Sequence, residues 1–465
     1  MADSAPSHER LARALVREIQ RGRIDAGALL PGSRVLAESL GVNRKVVVAA
    51  LDDLCAEGWL EAVPARGTRV AQVLPMLPVA DVRALRANSN CSAENTPHWQ
   101  ISDGAPDARL APLEKIARAQ RNALNKLSRG GLGYGSPAGD PVLREVLAAF
   151  VNQARGLSCN MDEILITRGS QGALSLVALT LCSPGDVVAV ETPGYVPAWR
   201  AFQLAGATLA HIPVDEEGLV IAALEAQARA LDGKLKALYL TPHHQYPTTV
   251  GLSPERRAQL GALAAEYGFC LIEDDYDYEY HFDGTPLLPL SAVNEAGVST
   301  IYLGSFSKLI APAFRVGYLV ANAAFVKRAS AVREILDRQG DAVQERALAE
   351  LIEDGDLQRH ARRARHIYRE RRDTMVSLLQ SHPQLKDVVE VASPAGGLAV
   401  WVRVRNGVSV SQWSRSARAH GLHFAPGATH VEQGDMPAFR AGFASFSSSE
   451  LEQVVDLLGL SFVDL

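Results

Sequence analysis

The chain has 465 residues, of which 47% are hydrophobic and 21% charged, and its formal net charge is −5. This length predicts two or three domains, and the composition is that of a globular protein with large cores. The weak net charge excludes bulk attraction to nucleic acid, so any such binding requires a local basic face. Five scattered cysteines form no Cys-x-x-Cys pair, which favours reduced thiols in the cytoplasm and predicts no metal site. We expect neither a signal peptide nor a membrane span, because no apolar run approaches the required length.

The first 73 residues predict a small DNA-binding domain. Ser33 and Asn43 are suited to cap the second and third of three helices, and a glycine turn separates these two helices. Three helices followed by a hairpin is the order of a winged helix-turn-helix. The predicted helices and strands cover residues 8–21, 34–40, 44–57, 59–63 and 68–73.

Polar and basic side chains in the second helix, at the start of the third helix and in the wing are candidates for DNA contact. Such side chains reach phosphates and base edges in the major groove, and arginine can pair with guanine through two hydrogen bonds. The alternative is a helical module for dimerisation or ligand sensing. The candidates are Arg34, Asn43, Arg44, Lys45, Arg66 and Arg69.

The stretch SRVLAESLGVNRKVVVAALDDLCAEGWLEAVPARGTRV resembles the GntR-type winged-helix regulators. The resemblance implies that residues 1–73 bind double-stranded operator DNA. Helical periodicity then fades between residues 74 and 99, where Pro75, Pro78 and Pro97 interrupt the chain. This composition predicts a semi-flexible linker between two domains.

From residue 100 onward, β-rich runs alternate with amphipathic helical segments. This alternation predicts an α/β fold with a large, mostly parallel sheet of seven strands over residues 100–330. A smaller α/β part is expected over residues 331–465. The runs in the large part lie at 164–167, 187–191, 208–212, 237–241, 270–274, 300–304 and 316–321, and those in the small part at 388–391, 397–404, 422–425 and 441–446.

Lys308 lies in a loop that follows the predicted strand at 300–304, between Ser305 and Arg315. Ligands bind at the carboxyl ends of strands in open α/β sheets. Burial or a neighbouring cation can lower the pKa of a lysine, and the neutral amine can form a Schiff base with an aldehyde. The simpler interpretation is a solvated loop lysine.

Four other features bear on the role of Lys308. Ser170 and Gln171 follow a strand at the start of a helix, where backbone N–H groups can hold a phosphate or merely form a tight turn. Asp274 ends a buried strand and can pair with a protonated ring nitrogen. Tyr195 can stack on a flat ring or cap the core. Arg440 is a candidate fork for a carboxylate.

In this order, the features resemble the fold type I aminotransferases that depend on pyridoxal phosphate (PLP), over about residues 100–460. The resemblance implies that Lys308 forms the Schiff base with PLP and that Asp274 holds the pyridinium nitrogen protonated. It assigns Tyr276 to the 3-oxygen of the ring, Tyr195 to stacking on the ring, and Arg440 to a carboxylate of the effector.

The same resemblance implies a phosphate site and a contact between subunits. Tyr134, in GLGYGSPAGDPVLREVL, resembles the tyrosine that reaches the phosphate in the neighbouring subunit. Sites of this fold type lie at a dimer interface, which implies a head-to-tail homodimer. The phosphate-binding candidates are Ser170, Gln171, Ser305 and Arg315.

A GntR-type domain joined to an aminotransferase-like domain is the plan of the MocR/GabR family of transcription regulators. The motifs EDDYDYE, TPHHQYPT and GSFSKLIAPAFRVGYLV resemble that family, whereas Thr249, Gly172 and Ala399 depart from its pattern. The resemblance implies a cytoplasmic regulator that senses PLP or an amino compound. One alternative is a working aminotransferase with an accessory DNA-binding module. Another is a GntR-type repressor whose second domain only dimerises and binds no PLP. The basic run at 359–372 is read as a solvated or dimer-facing helix rather than as a DNA contact.

Overall fold

The computed structural model describes residues 7–64, 67–74, 99–128, 130–293, 297–405 and 407–465. The chain divides into two compact units, Met1–Glu94 and Asn95–Leu465. Arg66 and nearly all of the predicted linker at 74–99 lie outside the described residues. Within the described ranges, no helix is long and apolar enough to cross a membrane.

The first unit packs three helices against a two-stranded hairpin. Buried Val47 and Leu54 of the third helix pack with Ile19 and Trp59, as the helical spacing predicts. The hairpin strands are antiparallel, with Glu61 opposite Arg69. The elements are α1 (Ser7–Gln20), α2 (Ser33–Leu40), α3 (Arg44–Ala56), β1 (Leu60–Val63) and β2 (Gly67–Val70).

One of the two predicted helix caps is present. The Asn43 side chain accepts a hydrogen bond of 2.9 Å from the Lys45 N–H at the start of α3. The prediction that Ser33 caps α2 is wrong, because Ser33 is itself the first helical residue and Gly32 takes the cap position without a side-chain bond. The Ser33 hydroxyl instead accepts a hydrogen bond of 3.3 Å from Arg44 Nε, which ties α2 to the start of α3.

The second unit is built on a mixed sheet of eight strands in the order β4-β11-β10-β9-β8-β5-β6-β7. All seven predicted strands are present, and the two-residue β7 adds an eighth at one edge. Strands β6, β5, β8, β9 and β10 run parallel, whereas β11 is antiparallel to both of its neighbours. The strands are β4 (Ile164–Thr167), β5 (Val187–Thr192), β6 (Thr208–Asp215), β7 (Gly218–Leu219), β8 (Leu235–Leu240), β9 (Cys270–Asp275), β10 (Thr300–Ser305) and β11 (Gly317–Val320).

Both faces of this sheet are covered. Val188 and Val190 of β5 pack in a cluster with Trp199, whereas Ala189 between them packs in a second cluster with Leu260. The period of two places successive side chains in different cores. The helices of the unit are α4 (Leu113–Leu127), α5 (Pro141–Arg155), α6 (Gly169–Leu181), α7 (Val196–Leu204), α8 (Ile221–Leu231), α9 (Pro254–Tyr267), α10 (Leu290–Val293), α11 (Ala323–Leu336), α12 (Ala342–Glu353), α13 (Asp356–Ser381), α14 (Val410–Ala419) and α15 (Ser448–Val463).

The C-terminal part carries a three-stranded antiparallel sheet in the order β12-β13-β15. The last strand was predicted over 441–446 but runs over Ala438–Gly442. Phe443 and Phe446 pack in the core beyond the end of the strand. Because they are as hydrophobic as buried strand residues, the predicted strand is shifted toward them. The strands are β12 (Val389–Val391), β13 (Ala399–Val404), β15 (Ala438–Gly442), and the pair β3 (Trp99–Gln100) and β14 (Leu422–His423), which run parallel.

Candidate functional site

The central parallel strands bring the predicted site residues to one edge of the sheet. In the pairing of β9 with β10, Asp274 lies opposite Leu303, and Lys308 follows three residues after β10 ends at Ser305. Parallel strands end at the same edge, so these side chains meet there. They face a cavity of about 70 Å³ that is lined by Asp103, Ser170, Tyr195, Tyr239, Thr241, Tyr246, Asp274, Tyr276 and Lys308.

Lys308 lies inside this cavity and not on the open surface, since only 20% of its side chain is exposed. Its Nζ donates a hydrogen bond of 2.9 Å to the carbonyl of Gly104, and Oδ1 of Asp103 is 4.0 Å from it. Burial lowers the pKa of Lys308, and the nearby Asp103 carboxylate opposes part of that shift. A lysine amine in this environment loses its proton more readily than one in water.

Asp274 is buried, and only one of its two carboxylate oxygens has a hydrogen-bond partner among the described residues. Its Oδ2 accepts a hydrogen bond of 2.9 Å from the Tyr239 hydroxyl, whereas Oδ1 has no hydrogen-bond partner among the described residues. Burial raises the pKa of Asp274 to about 7, although the bond from Tyr239 acts against this. A protonated ring nitrogen would supply both the missing donor and the opposite charge, so the pyridinium of PLP fits this carboxylate.

Tyr276 stands between the cavity and the loop after β8. Its hydroxyl donates a hydrogen bond of 2.8 Å to the carbonyl of His244, and Nη2 of Arg440 lies 3.4 Å from the same hydroxyl oxygen. Burial raises the pKa of Tyr276 well above the usual value, so the hydroxyl keeps its proton at neutral pH. Its single proton is donated to His244, so a bond to a ring oxygen requires that the hydroxyl turn away from this carbonyl.

Arg440 is buried behind this hydroxyl, and most of its donors are engaged. Nε donates to the carbonyl of Asp103 at 2.9 Å and Nη1 to the carbonyl of Pro247 at 2.8 Å. The guanidinium lies over the ring of Tyr246, 4.9 Å from its centroid. Contacts within the chain thus engage three of the five N–H donors of the predicted carboxylate fork, since Nη2 faces Tyr276.

The predicted phosphate end contains the start of a helix and a cation. Ser170 lines the cavity in the first turn of α6, and the Arg315 guanidinium lies against Gly169. A Cβ at Gly169 would lie 3.2 Å from Nη1 of Arg315, and the backbone favours glycine there because φ is +69°. Unpaired N–H groups at a helix start together with a guanidinium suit an anion.

Other predicted site residues lie beside the cavity or away from it. Tyr195 lines the cavity, edge-on to Tyr246 at 5.2 Å between ring centroids. Nε2 of Gln171 donates a hydrogen bond of 3.1 Å to the carbonyl of Pro197, and its buried Oε1 has no hydrogen-bond partner in the described part of the chain. Ser305 accepts from the N–H of Ser307 at 3.1 Å. Neither Gln171 nor Ser305 lines the cavity.

Tyr134 is outside the cavity of its own chain. The residue is 80% exposed, and the Arg338 guanidinium lies 4.2 Å from the centroid of its ring. An exposed aromatic side chain at this position is available to a neighbouring molecule.

Most of the predicted DNA contacts are exposed on the first unit. Arg34, Asn43, Arg44 and Lys45 are all exposed around the start of α3. Arg69 donates through Nε and Nη2 to the carboxylate of Glu61, the residue opposite it in the hairpin, so this carboxylate competes with a DNA phosphate for the guanidinium.

Four residues that line the cavity were missed by sequence reasoning. Tyr239 lies inside a predicted strand, and Thr241 and Tyr246 lie in the motif TPHHQYPT, which indicates the family but assigns neither residue to the site. Asp103 lies far from Lys308 in sequence, and the only signal was an Asp-Gly pair directly after the predicted linker.

The profile of bacterial regulatory proteins of the gntR family matches residues 7–70, and that of aminotransferase class I and II matches residues 99–458. The pyridoxine biosynthesis transcriptional regulator PdxR of Corynebacterium glutamicum is 34% identical over 80% of this chain and 79% of its own. The chain belongs to the MocR-type transcriptional regulators. It joins a GntR DNA-binding domain to an aminotransferase-like domain, which confirms the family, the fold class and the regulatory function expected from the motifs.

Two further relatives cover most of the chain. The probable rhizopine catabolism regulatory protein MocR of Rhizobium meliloti is 28% identical over 90% of this chain and 86% of its own. The crystal structure of a kynurenine aminotransferase from Pyrococcus horikoshii, complexed with PMP, has a TM-score of 0.73. It is 28% identical and covers 83% of this chain and 94% of its own. As a MocR-type regulator, the protein has a DNA-binding GntR domain, and its second domain has the fold of the class I and II aminotransferases.

Proposed function

We propose that this MocR-type regulator binds PLP at Lys308 and senses either PLP itself or a primary amine that reaches the same cavity. The observation that carries the proposal is the pairing, in one cavity, of a buried lysine whose pKa is lowered with a buried carboxylate that lacks one partner. PLP supplies an aldehyde that condenses with a primary amine and releases one water.

The residues of the cavity divide the work of holding such a ligand. Burial keeps the Lys308 amine ready to lose its proton. Asp274 provides the negative partner for a ring nitrogen, and Tyr195 stacks against the ring face. Tyr276 donates to the ring oxygen after exchanging its present bond to the carbonyl of His244. The phosphate is assigned to Ser170, which lines the cavity, and to Gln171, Ser305 and Arg315, which do not line it.

The regulator is proposed to act as a head-to-tail homodimer. The 80% exposure of Tyr134 supports this arrangement, because the side chain is available to complete the phosphate site of a partner. Two winged helices would then read two half-sites of operator DNA through Arg44, Lys45 and their neighbours. Because the target is chromosomal DNA, the protein is assigned to the cytoplasm. An effector changes DNA binding only to the extent that it binds two shapes of the dimer differently.

The test is the visible absorbance of the purified protein after incubation with PLP. We expect the band of lysine-bound PLP in the natural protein and in Lys327→Ala, which removes an exposed lysine of α11, and no such band in Lys308→Ala. The absence of a band in the natural protein would refute the proposal and favour a second domain that only dimerises. Gel shifts with upstream DNA, with and without PLP and amines, then test regulation.

A working aminotransferase is the second candidate. It is favoured by the 0.73 TM-score to the kynurenine aminotransferase and by the presence of Lys308, Asp274 and Arg440 around one cavity. Transfer of amino groups to a keto acid at ordinary enzyme rates, about 1–1000 per second, would favour this candidate. Regulation without such turnover favours the sensor.

A further inference from the structure

Asp103 places a carboxylate at the mouth of the cavity, close to two cations. Its Oδ1 is 4.0 Å from Nζ of Lys308, its Oδ2 accepts a hydrogen bond of 3.3 Å from the Tyr246 hydroxyl, and its carbonyl holds Nε of Arg440 at 2.9 Å. About half of its side chain, 54%, remains exposed. Although burial acts in the other direction, the charges of Lys308 and Arg440 lower the pKa of Asp103, so the carboxylate is ionised at neutral pH.

The backbone on either side of Asp103 is fixed. The N–H of Gly442 in β15 donates a hydrogen bond of 2.8 Å to the carbonyl of Ser102. Oγ of Ser102 accepts a hydrogen bond of 2.9 Å from the N–H of Ala105. Gly104 has a φ of +105°, and a Cβ there would lie 3.4 Å from Cβ of Leu398. The segment is therefore held against the C-terminal part of the unit, and Asp103 faces the cavity from a defined backbone position.

The contacts of Arg440 limit which ligand groups it can bind. Its Nε and Nη1 already donate to the carbonyls of Asp103 and Pro247, its Nη2 lies near Tyr276, and one face of its guanidinium is covered by Tyr246. A ligand carboxylate would have to share the remaining donors while lying close to the Asp103 carboxylate. Like charges at such short range in a partly buried site repel each other.

We propose, on the basis of the proposed function, that Asp103 determines ligand specificity: it makes the site select primary amines with an uncharged or cationic tail over amines with a carboxylate tail. Because Asp103 is half exposed, solvent screens much of the repulsion, and its contribution is about tenfold in affinity. A cationic tail gains from the same carboxylate.

The experiment measures binding of three amines of one chain length to the PLP-loaded protein: pentylamine, 1,5-diaminopentane and 5-aminopentanoate. The readouts are the change of the visible spectrum and the dissociation constant from calorimetry. The variants are Asp103→Asn, which keeps the size of the side chain and removes its charge, and Asp387→Asn, which removes the same charge from an exposed residue before β12.

In the natural protein we expect 1,5-diaminopentane to bind at least as tightly as pentylamine, and 5-aminopentanoate to bind at least tenfold more weakly than pentylamine. Asp103→Asn should bring the last two within about a factor of two, and Asp387→Asn should leave their ratio unchanged. If the natural protein binds 5-aminopentanoate most tightly, or if Asp103→Asn leaves the ratio unchanged, the inference is overturned although PLP still binds. If no spectrum of bound PLP is seen at all, the proposed function fails as well.

Discussion

Replacing Asp274 by asparagine should stabilise the cofactor-free protein at alkaline pH. The carboxylate is 4% exposed, and burial raises its pKa from 3.8 to about 7. An acid whose pKa is raised on folding is destabilising when ionised, because the folded state must hold a charge that water would stabilise better. Asparagine has the same shape and can still accept the hydrogen bond from Tyr239, but it carries no charge.

The size and the pH range of the effect follow from the two pKa values. Below about pH 4 the group is protonated in both states, and its ionisation costs nothing. As pH rises from 4 to 7, the unfolded chain ionises first, so the folded state loses stability steadily. At about 1.4 kcal/mol per pKa unit, the cost is roughly 1.6 kcal/mol at pH 5 and about 4 kcal/mol at pH 8.

The assay is urea unfolding of cofactor-free protein at pH 5 and pH 8, with Asp387→Asn as the charge-matched control. The stability difference between Asp274→Asn and the natural protein should increase by about 2–3 kcal/mol from pH 5 to pH 8. This increase is the decisive quantity, because any loss from the unpaired asparagine amide is the same at both pH values. If Asp274→Asn changes stability equally at pH 5 and pH 8, the assignment of a buried, hard-to-ionise carboxylate is wrong.

Three further predictions concern backbone strain and DNA binding. Thr249 is β-branched and has a φ of +66°, so Thr249→Gly should raise the unfolding free energy by about 1 kcal/mol in thermal or urea unfolding, and no gain would mean that the turn is unstrained. Arg44→Ala and Lys45→Ala should each weaken operator binding and reduce the slope of log affinity against log salt by about 1; an unchanged slope would exclude a phosphate contact. Glu61→Gln should release Arg69 from its 2.7 Å ion pair and strengthen DNA binding, with a stability change below about 1 kcal/mol. Weaker binding by this variant would show that the pair positions the wing.

The meeting of Lys308 and Asp274 in one cavity could be predicted because both residues lie next to strands with strong local signals. Asp274 closes the buried run of β9, and Lys308 follows the β-branched run of β10. Once these runs are recognised as neighbouring parallel strands, the two side chains must lie at the same edge. The wrong helix cap has an equally local cause. Ser33 has the residue type of a cap for α2, but its hydroxyl accepts a hydrogen bond from Arg44 across the turn.

The ligand end of the site could not be predicted in the same way, because its contacts join segments that are distant in sequence. Asp103 reaches Lys308 across about two hundred residues, and its segment is held by Gly442 of β15, whose boundaries the sequence misplaced. The carboxyl ends of the strands indicate where a ligand binds in the fold. Which ligand binds depends on the charged side chains that distant segments place around that cavity. Arg440 shows the difference. Its residue type indicates a carboxylate fork, but its bonds to the carbonyls of Asp103 and Pro247 leave it few free donors. Whether Arg440 holds a ligand carboxylate therefore depends on the neighbouring Asp103 charge, which the residue type of Arg440 does not reveal.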